Sequence, residues 1–348
     1  MTIFIGIIAF FVILGVLIFV HELGHFTFAK LSGVRVDEFG LGFPPRLKTW
    51  RRGVTLYSLN AIPLGGFVKM QGENGEDGEP DSFGAKPPWQ RLLILGAGPG
   101  MNLALAVVIF WATFMMGSPR GLSLLTAVAP HSPAAAAGLK TGDRIIAVDG
   151  QPVRYSDELQ TAVDNNLGQR ITLRVQRGAR TFTTSLVPRI NPPPHQGPMG
   201  VGVSKTITVA YGPVAALRRA VGEVGVMVSS LPAIIQSVGQ HGGGQVQGPI
   251  GIAQDTTSVV QSTPSYGIGA VLQWVALLSA NLGVLNLLPI PALDGGRIVF
   301  VLLSWVRRRN LDPEVEGLIH MVGMAMLLLL ILVISYQDVA RWVGGGSF

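Results

Sequence analysis

An apolar run extends without a charge from Ile3 to Val20 and ends on His21-Glu22-Leu23-Gly24-His25. As a helix, a stretch of this kind is long enough to cross a bilayer. Four residues of helix advance about 6 Å and slightly more than one turn, so His21 and His25 project from one face, where two imidazole nitrogens can meet a single zinc ion. In the pattern H-E-x-x-H the glutamate is the base for the metal-bound water, which makes Glu22 the candidate base. Ionisable groups at membrane depth are costly unless they are paired, metal-bound or in a water-filled cavity, so this helix demands specific company from the rest of the chain.

The composition agrees with a membrane setting. Of 348 residues 48% are hydrophobic and only 13% charged, and the mean hydropathy is +0.45, outside the range of ordinary soluble domains. Cysteine is absent, so a metal must be held by nitrogen and oxygen. The net charge of +6 sits mostly in loops beside apolar segments, without the aromatic interleaving of a nucleic-acid face, and no nucleic-acid partner is expected.

Four segments meet the length of a span: Ile3 to roughly Ala29, Leu92 to Gly117, Gly267 to Leu288 and Gly317 to Tyr336. No Lys or Arg precedes the first, so it reads as a permanent helix and not a removable leader. A fifth candidate, Val224 to Val238, is short and carries Ser229, Ser230 and Pro232, and is expected to be a surface or interfacial helix. Lys30, Arg35, Arg46, Lys48, Arg51, Arg52, Lys69, Lys86 and Arg91 crowd the first loop, and Arg297, Arg307, Arg308 and Arg309 the third. Both loops should face the cytoplasm, with both termini and the long central segment outside.

Two histidines leave a catalytic zinc short of a protein ligand. Asp294, in Asn286-Leu287-Leu288-Pro289-Ile290-Pro291-Ala292-Leu293-Asp294-Gly295-Gly296, is the candidate third ligand, because the prolines should break the third span into extended backbone that aims a carboxylate inward. The alternative is that Asp294 merely opens a turn before the two glycines.

The His-Glu-Leu-Gly-His motif, the Asn-x-x-Pro-x-Pro-x-Leu-Asp-Gly-Gly motif and the domain between them resemble the site-2 protease family of intramembrane zinc metalloproteases, most closely the bacterial regulator-of-sigma-E protease group. The resemblance covers almost the whole chain. It implies zinc on His21, His25 and Asp294, Glu22 as base, and Asn286 as a substrate contact. Gly98-Pro99-Gly100-Met101-Asn102 matches a further family motif, which places Asn102 near the active site either against substrate or in a hydrogen bond between helices. It also implies a bacterial cytoplasmic membrane location, single-pass membrane substrates such as anti-sigma factors, and cleavage in regulated intramembrane proteolysis.

Two Gly-punctuated, strand-like runs, Val36 to Phe43 and Thr55 to Lys69, follow the first span. The resemblance implies a membrane-reentrant β-hairpin or sheet here, and the edge of such a strand could pair with an unwound substrate; the plain alternative is an ordinary cytoplasmic hairpin. Glu73 to Asp81 reads as a solvated acidic loop. From Leu122 to Pro188 the chain turns soluble and strand-rich. The stretch Ala137-Gly138-Leu139-Lys140-Thr141-Gly142-Asp143-Arg144-Ile145-Ile146 resembles bacterial PDZ domains, which bind peptides by strand addition. Ser156 should cap a helix, and Arg170 to Val175 should alternate as a half-buried strand. The functional alternatives for this domain are a filter for substrate ectodomains and a rigid plug.

The expected architecture is therefore a polytopic α-helical membrane protein with a reentrant hairpin or sheet and one inserted extracytoplasmic α+β PDZ domain: a membrane half at 1–117, the PDZ domain at 118–190, linker and interfacial helix at 191–264, and a second membrane half at 265–348. His131, His195 and His241 read as surface residues, and His320 as a hydrogen-bonding residue within the bundle. Two rival functions remain at this point: an ion-coupled transporter with His21, Glu22 and Asp294 as a proton relay, and an inactive membrane-tethered PDZ scaffold.

Overall fold

The computed structural model describes residues 2–73, 79–193, 196–232, 248–308 and 313–343. Expectations that touch other residues, among them His195, His241, the glycines at 242–244, most of the acidic loop after Glu73 and Arg309, lie outside this range. The chain divides into two compact units, 1–113 with 212–348 and 114–211.

In the first unit four helices are long and apolar enough to span a membrane: α1 (Thr2–Leu31), α2 (Pro88–Met116), α7 (Ile268–Asn286) and α9 (Pro313–Val343). They match the four segments expected from sequence, with ends displaced by a few residues. Met326, Leu329 and Leu332 of α9 expose 67%, 61% and 67% of their surfaces, an arrangement that suits lipid and would be costly in water.

Helices α5 (Pro213–Ser229) and α6 (Pro249–Tyr266) correct the linker assignment. Helix α5 begins at Pro213, well before the Val224 start expected of a surface or interfacial helix, because proline supplies a ready-made first turn; Ala216, Ala220 and Val224 form its buried stripe. Residues 233–247, the far end of the expected segment, are outside the described range. Helix α6 packs against α1, α7 and α9 although its sequence is polar. Thr256, Thr257 and Ser258 return their hydroxyls to carbonyls four residues earlier, at 2.7, 2.8 and 3.1 Å, so hydroxyls that look solvated in sequence are satisfied inside the helix. Asp338 of α9, fully buried, accepts hydrogen bonds from the Gly248 and Gly251 N–H groups at 3.0 and 2.9 Å and caps α6 from another helix.

Between α1 and α2 lie β1 (Val36–Arg52) and β2 (Thr55–Met70), an antiparallel pair that folds back on itself. Glu38 to Leu41 lie between Leu56–Leu59 on one side and Gly66–Lys69 on the other, while Arg46–Arg52 pair outward with Thr55–Asn60. The margins of this layer are thus 46–52 and 66–70. A core of Ala29, Val34, Val36, Phe39, Val68, Met70, Ile94 and Val301 joins the layer to the helices.

The second unit holds β3 (Ser118–Val128), α3 (Pro133–Ala136), β4 (Arg144–Val148), β5 (Gln151–Pro152), α4 (Ser156–Asp164), β6 (Ile171–Arg177), β7 (Arg180–Leu186) and β8 (Val201–Val209). The sheet runs β7-β6-β4-β3-β8, with β5 on β4, and every pairing is antiparallel. Ile171, Leu173 and Val175 are fully buried and the residues between them exposed, the alternation expected of a half-buried strand. Strand β8 lies beyond the expected boundary at 190; its alternating Val201, Val203, Ile207 and Val209 were obscured by the proline- and glycine-rich residues before it. The cap of α4 also shifts by one residue. Tyr155 is the N-cap and Ser156 opens the helix, because Glu158 accepts the N–H groups of Arg154 and Tyr155 at 2.9 and 3.2 Å.

Asp338→Ala would leave two buried backbone donors without this acceptor and is expected to cost about 1–3 kcal/mol. Asp338→Asn, which keeps one acceptor oxygen, should cost less. Thermal unfolding in detergent checks this; equal midpoints for the intact protein and the alanine variant would contradict the cap.

Candidate metal centre

His21, Glu22 and His25 lie toward the C-terminal end of α1, so their spacing is set by the helix. The chain reaches the third group by leaving α7 at Asn286, turning through Pro289 and Pro291, and entering α8 (Asp294–Arg307) with Asp294 as its first residue. Both sequence readings of Asp294 hold in part, since it does open a new element and its carboxylate also turns toward the histidines. The first turn of a helix favours a carboxylate. The turn needs Ala292 at φ 79°, with its N–H donating to His320 Nδ1 of α9 at 2.9 Å. Gly295 and Gly296 allow the helix to fold back, since a Cβ there would lie 2.2 Å from the Leu288 carbonyl oxygen and 2.4 Å from that of Ile290.

His21 Nε2 lies 3.1 Å from Asp294 Oδ2 and His25 Nε2 3.4 Å from it, and the two Nε2 atoms are 3.1 Å apart. One ligand atom from each residue falls within 4.8 Å of the others. His25 Nδ1 donates to the Ile94 carbonyl oxygen at 2.9 Å, which leaves Nε2 as the bare lone pair. Asn102, fully buried, places its amide 3.3 Å from His21 Nδ1. The atom placed there is the amide nitrogen; turning the amide so that its oxygen faced Nδ1 would let His21 carry its proton on Nδ1 and present Nε2. Asp294 Oδ2 is buried and has no settled hydrogen-bond partner, with two ring nitrogens within 3.4 Å of it. Two nitrogen lone pairs and an unsatisfied carboxylate oxygen, each imidazole held by its other nitrogen, form a donor set that fits a divalent cation such as zinc.

The site depends on a tight helix crossing. A Cβ on Gly98 would lie 2.2 Å from His25 Nε2, and one on Gly24 would lie 2.4 Å from the Ala97 carbonyl oxygen. Asn286 ends α7, where its amide donates to the Leu282 carbonyl of its own helix at 2.9 Å. Glu22 faces the β layer, its Cγ 2.8 Å from the position a Gly66 Cβ would take. His131, at φ 57°, belongs to the second unit, where its carbonyl accepts a bond from Arg189.

Sequence reasoning missed Arg297 and Glu73. Arg297, one turn after Asp294 on α8, is ion-paired with Glu73, in the turn that follows β2. Burial opposes the guanidinium charge, but Glu73 outweighs it and raises the Arg297 pKa. The only sequence signal was the three-residue spacing from Asp294, which puts both on one helical face.

The profile of peptidase family M50 matches residues 9–330. The chain belongs to this family. A protein of Clostridium acetobutylicum named as a zinc metalloprotease is 33% identical over 97% of this chain and 97% of its own length. The zinc metalloprotease RasP of Geobacillus kaustophilus is 28% identical over 97% of this chain and 98% of its own, and the regulator of sigma-W protease RasP of Bacillus subtilis is 28% identical over 96% and 98%. The resemblance to site-2 proteases is thereby shown, and neither the transporter nor the inactive-scaffold reading gains support. This M50 chain carries its histidine and aspartate motifs inside the matched range.

Gly98→Ala is expected to destabilise the protein by about 1–3 kcal/mol, because its methyl collides with His25. Gly100→Ala is the control, with nothing within 4 Å of the added carbon. Equal unfolding midpoints for the two variants would contradict the crossing.

Proposed function

We propose that this chain is an intramembrane zinc endopeptidase that hydrolyses peptide bonds of single-span membrane proteins in or beside the bilayer. The observation that carries this reading is the meeting of His21 and His25, on a helix apolar enough to span a membrane, with Asp294 within 4.8 Å, and Glu22 beside them, in a chain of peptidase family M50. His21, His25 and Asp294 would hold zinc, which when bound polarises the scissile carbonyl and lowers the pKa of water. Glu22 takes the proton of the attacking water and returns it to the leaving amine. Ile94 fixes the His25 imidazole, and Asn102, 3.3 Å from His21 Nδ1, is assigned to orient His21, beside the substrate contact that the family resemblance implies. Asn286 sits at the end of α7, close in sequence to Asp294, and is assigned to contact substrate on the family resemblance.

A peptide bond inside a helix is screened from hydrolysis, so a substrate span must be unwound and its freed backbone groups paired. The margin at Gly66–Met70 suits that task, since it is the side of the layer not occupied by 38–41 and begins next to Glu22. We assign this layer as the reentrant substrate clamp. Its other margin carries Arg46, Lys48, Arg51 and Arg52 around an exposed Trp50, which suits the headgroup level better than the hydrocarbon.

The second unit we assign as a PDZ domain. Strand β8 ends the sheet order, and a groove of about 210 Å³ between it and α4 is lined by Leu159, Val163, Met199, Val201 and Val203. An extended peptide from a trimmed substrate ectodomain could add as a strand there. We place the protein in a bacterial cytoplasmic membrane, with the hairpin and α8 at the cytoplasmic face and the second unit outside. Proteins of the anti-sigma type are the substrate class this arrangement suits.

Glu22→Gln should retain zinc and lose cleavage by about 100-fold or more, because the ligands remain and the base does not. His25→Ala should lose both. Zinc is measured by atomic absorption and cleavage on a single-span substrate in liposomes. Near-normal cleavage by the glutamine variant would remove Glu22 from the mechanism.

A further inference from the structure

The first unit contains a partly buried ion pair that the hydrolytic chemistry does not use. Arg297 Nη1 contacts Glu73 Oε1, with the side chains only 35% and 16% exposed. The other Glu73 oxygen, Oε2, accepts the Met70 N–H at 3.3 Å. A single carboxylate therefore grips the last residue of the Gly66–Met70 margin with one oxygen and, with the other, a guanidinium one helical turn from Asp294. The opposite end of the margin is set against the base, because Gly66 lies where any Cβ would meet the Glu22 side chain. The strand is thus fixed at one end to the residue that moves the proton and at the other to the helix that bears the carboxylate ligand.

We propose that Glu73 and Arg297 are positioning residues that set the cleavage register. The proposal rests on the protease reading and on Gly66–Met70 as the strand that receives substrate. A paired substrate inherits the position of that strand. A shift of one residue moves the substrate backbone by about 3.3 Å and presents a neighbouring peptide bond to the same catalytic groups. The ion pair opposes such a shift. Neither residue touches the reacting atoms; Arg297 also lies in the field of Asp294 and Glu316, so the test must separate its bond to Glu73 from any effect on Asp294.

Glu73→Gln achieves that separation, since it keeps an acceptor for the Met70 N–H and leaves Arg297 beside Asp294 while removing the charge it pairs with. The intact protein, Glu73→Gln, Arg297→Gln, the double variant and Arg297→Lys are compared for zinc content, for amide hydrogen exchange of Phe67–Met70, and for the bonds cut in a synthetic span of about 20 apolar residues in liposomes. All should hold zinc. The two glutamine variants should exchange these amides on the order of ten-fold faster and cut at bonds on either side of the principal one. The double variant should be no worse than either single, because the residues act as one unit. Arg297→Lys, which keeps a charge, should restore the principal bond. Exchange and cleavage position unchanged in Glu73→Gln would overturn the proposal, as would strictly additive effects. If only Arg297→Gln is altered, or it alone fails to fold, the arginine serves Asp294 or the fold and the proposal is wrong. If the intact protein holds zinc and cuts nothing, the protease reading fails, and the exchange comparison alone decides whether the pair tethers the strand.

Discussion

The hydrogen bond from His25 Nδ1 to the Ile94 carbonyl, 2.9 Å long and wholly buried, is the interaction around which the membrane unit is organised. It requires α1 and α2 to approach until only glycine fits at 24 and 98. It commits the imidazole to one tautomer and turns its free nitrogen toward His21 and Asp294. Three acceptor atoms gathered in a low-dielectric core repel one another unless a cation joins them, so the geometry stands at the cost of solvation that a bound metal would offset. The rest of the unit supplies rigidity for that arrangement. Ser279 of α7 donates to the Asn102 carbonyl at 2.8 Å, His320 holds the turn before Asp294, and Asp338 secures α6 against α9.

Much of this was legible in the amino-acid sequence where one physical rule dominates. The four spans follow from the length of apolar runs, which bilayer thickness alone decides. His21, Glu22 and His25 follow from helical spacing, and Asp294 from two prolines that no spanning helix can absorb without a break. What escaped depends on partners distant in sequence. Nothing near Glu73 indicates that it will meet Arg297, 224 positions away, and nothing near Gly248 indicates that its cap comes from Asp338. Helix α6 falls mostly within the stretch read as linker and interfacial helix, and its hydroxyls are satisfied within the helix itself. Strand β8 follows a run of prolines and glycines that dominates any local window. Asn102 was visible as a motif residue, but its choice of His21 as partner is a property of the crossing.

The two units solve different physical problems. In the membrane unit several buried polar groups, among them His25, Ala292 and Gly248, are met by a carbonyl, a ring nitrogen or a carboxylate brought from another element, because water is not there to do it. In the 114–211 unit an antiparallel sheet packs Leu125, Ile145, Ile171, Leu173 and Val175 against α4, and its charged groups lie near the surface. Arg120, which pairs with Asp157, and Asp143 are the exceptions. Asp143 is fully buried and held by Arg177 and by the Lys140 N–H at 2.8 Å. Although burial works against its charge, those partners lower its pKa below the usual carboxylate value. Its contribution is therefore complete above the ordinary carboxylate range and lost only as the pH falls below it.

The central claim is that His21, His25 and Asp294 together hold one zinc ion. X-ray absorption at the zinc edge of the purified protein tests it most directly. The account predicts about one zinc per chain in a shell of nitrogen and oxygen atoms at roughly 2.0–2.2 Å, with the outer-shell scattering of two imidazoles, and a marked loss of bound zinc in Asp294→Ala. A shell without imidazole scattering, or a spectrum and stoichiometry unchanged by Asp294→Ala, would contradict it.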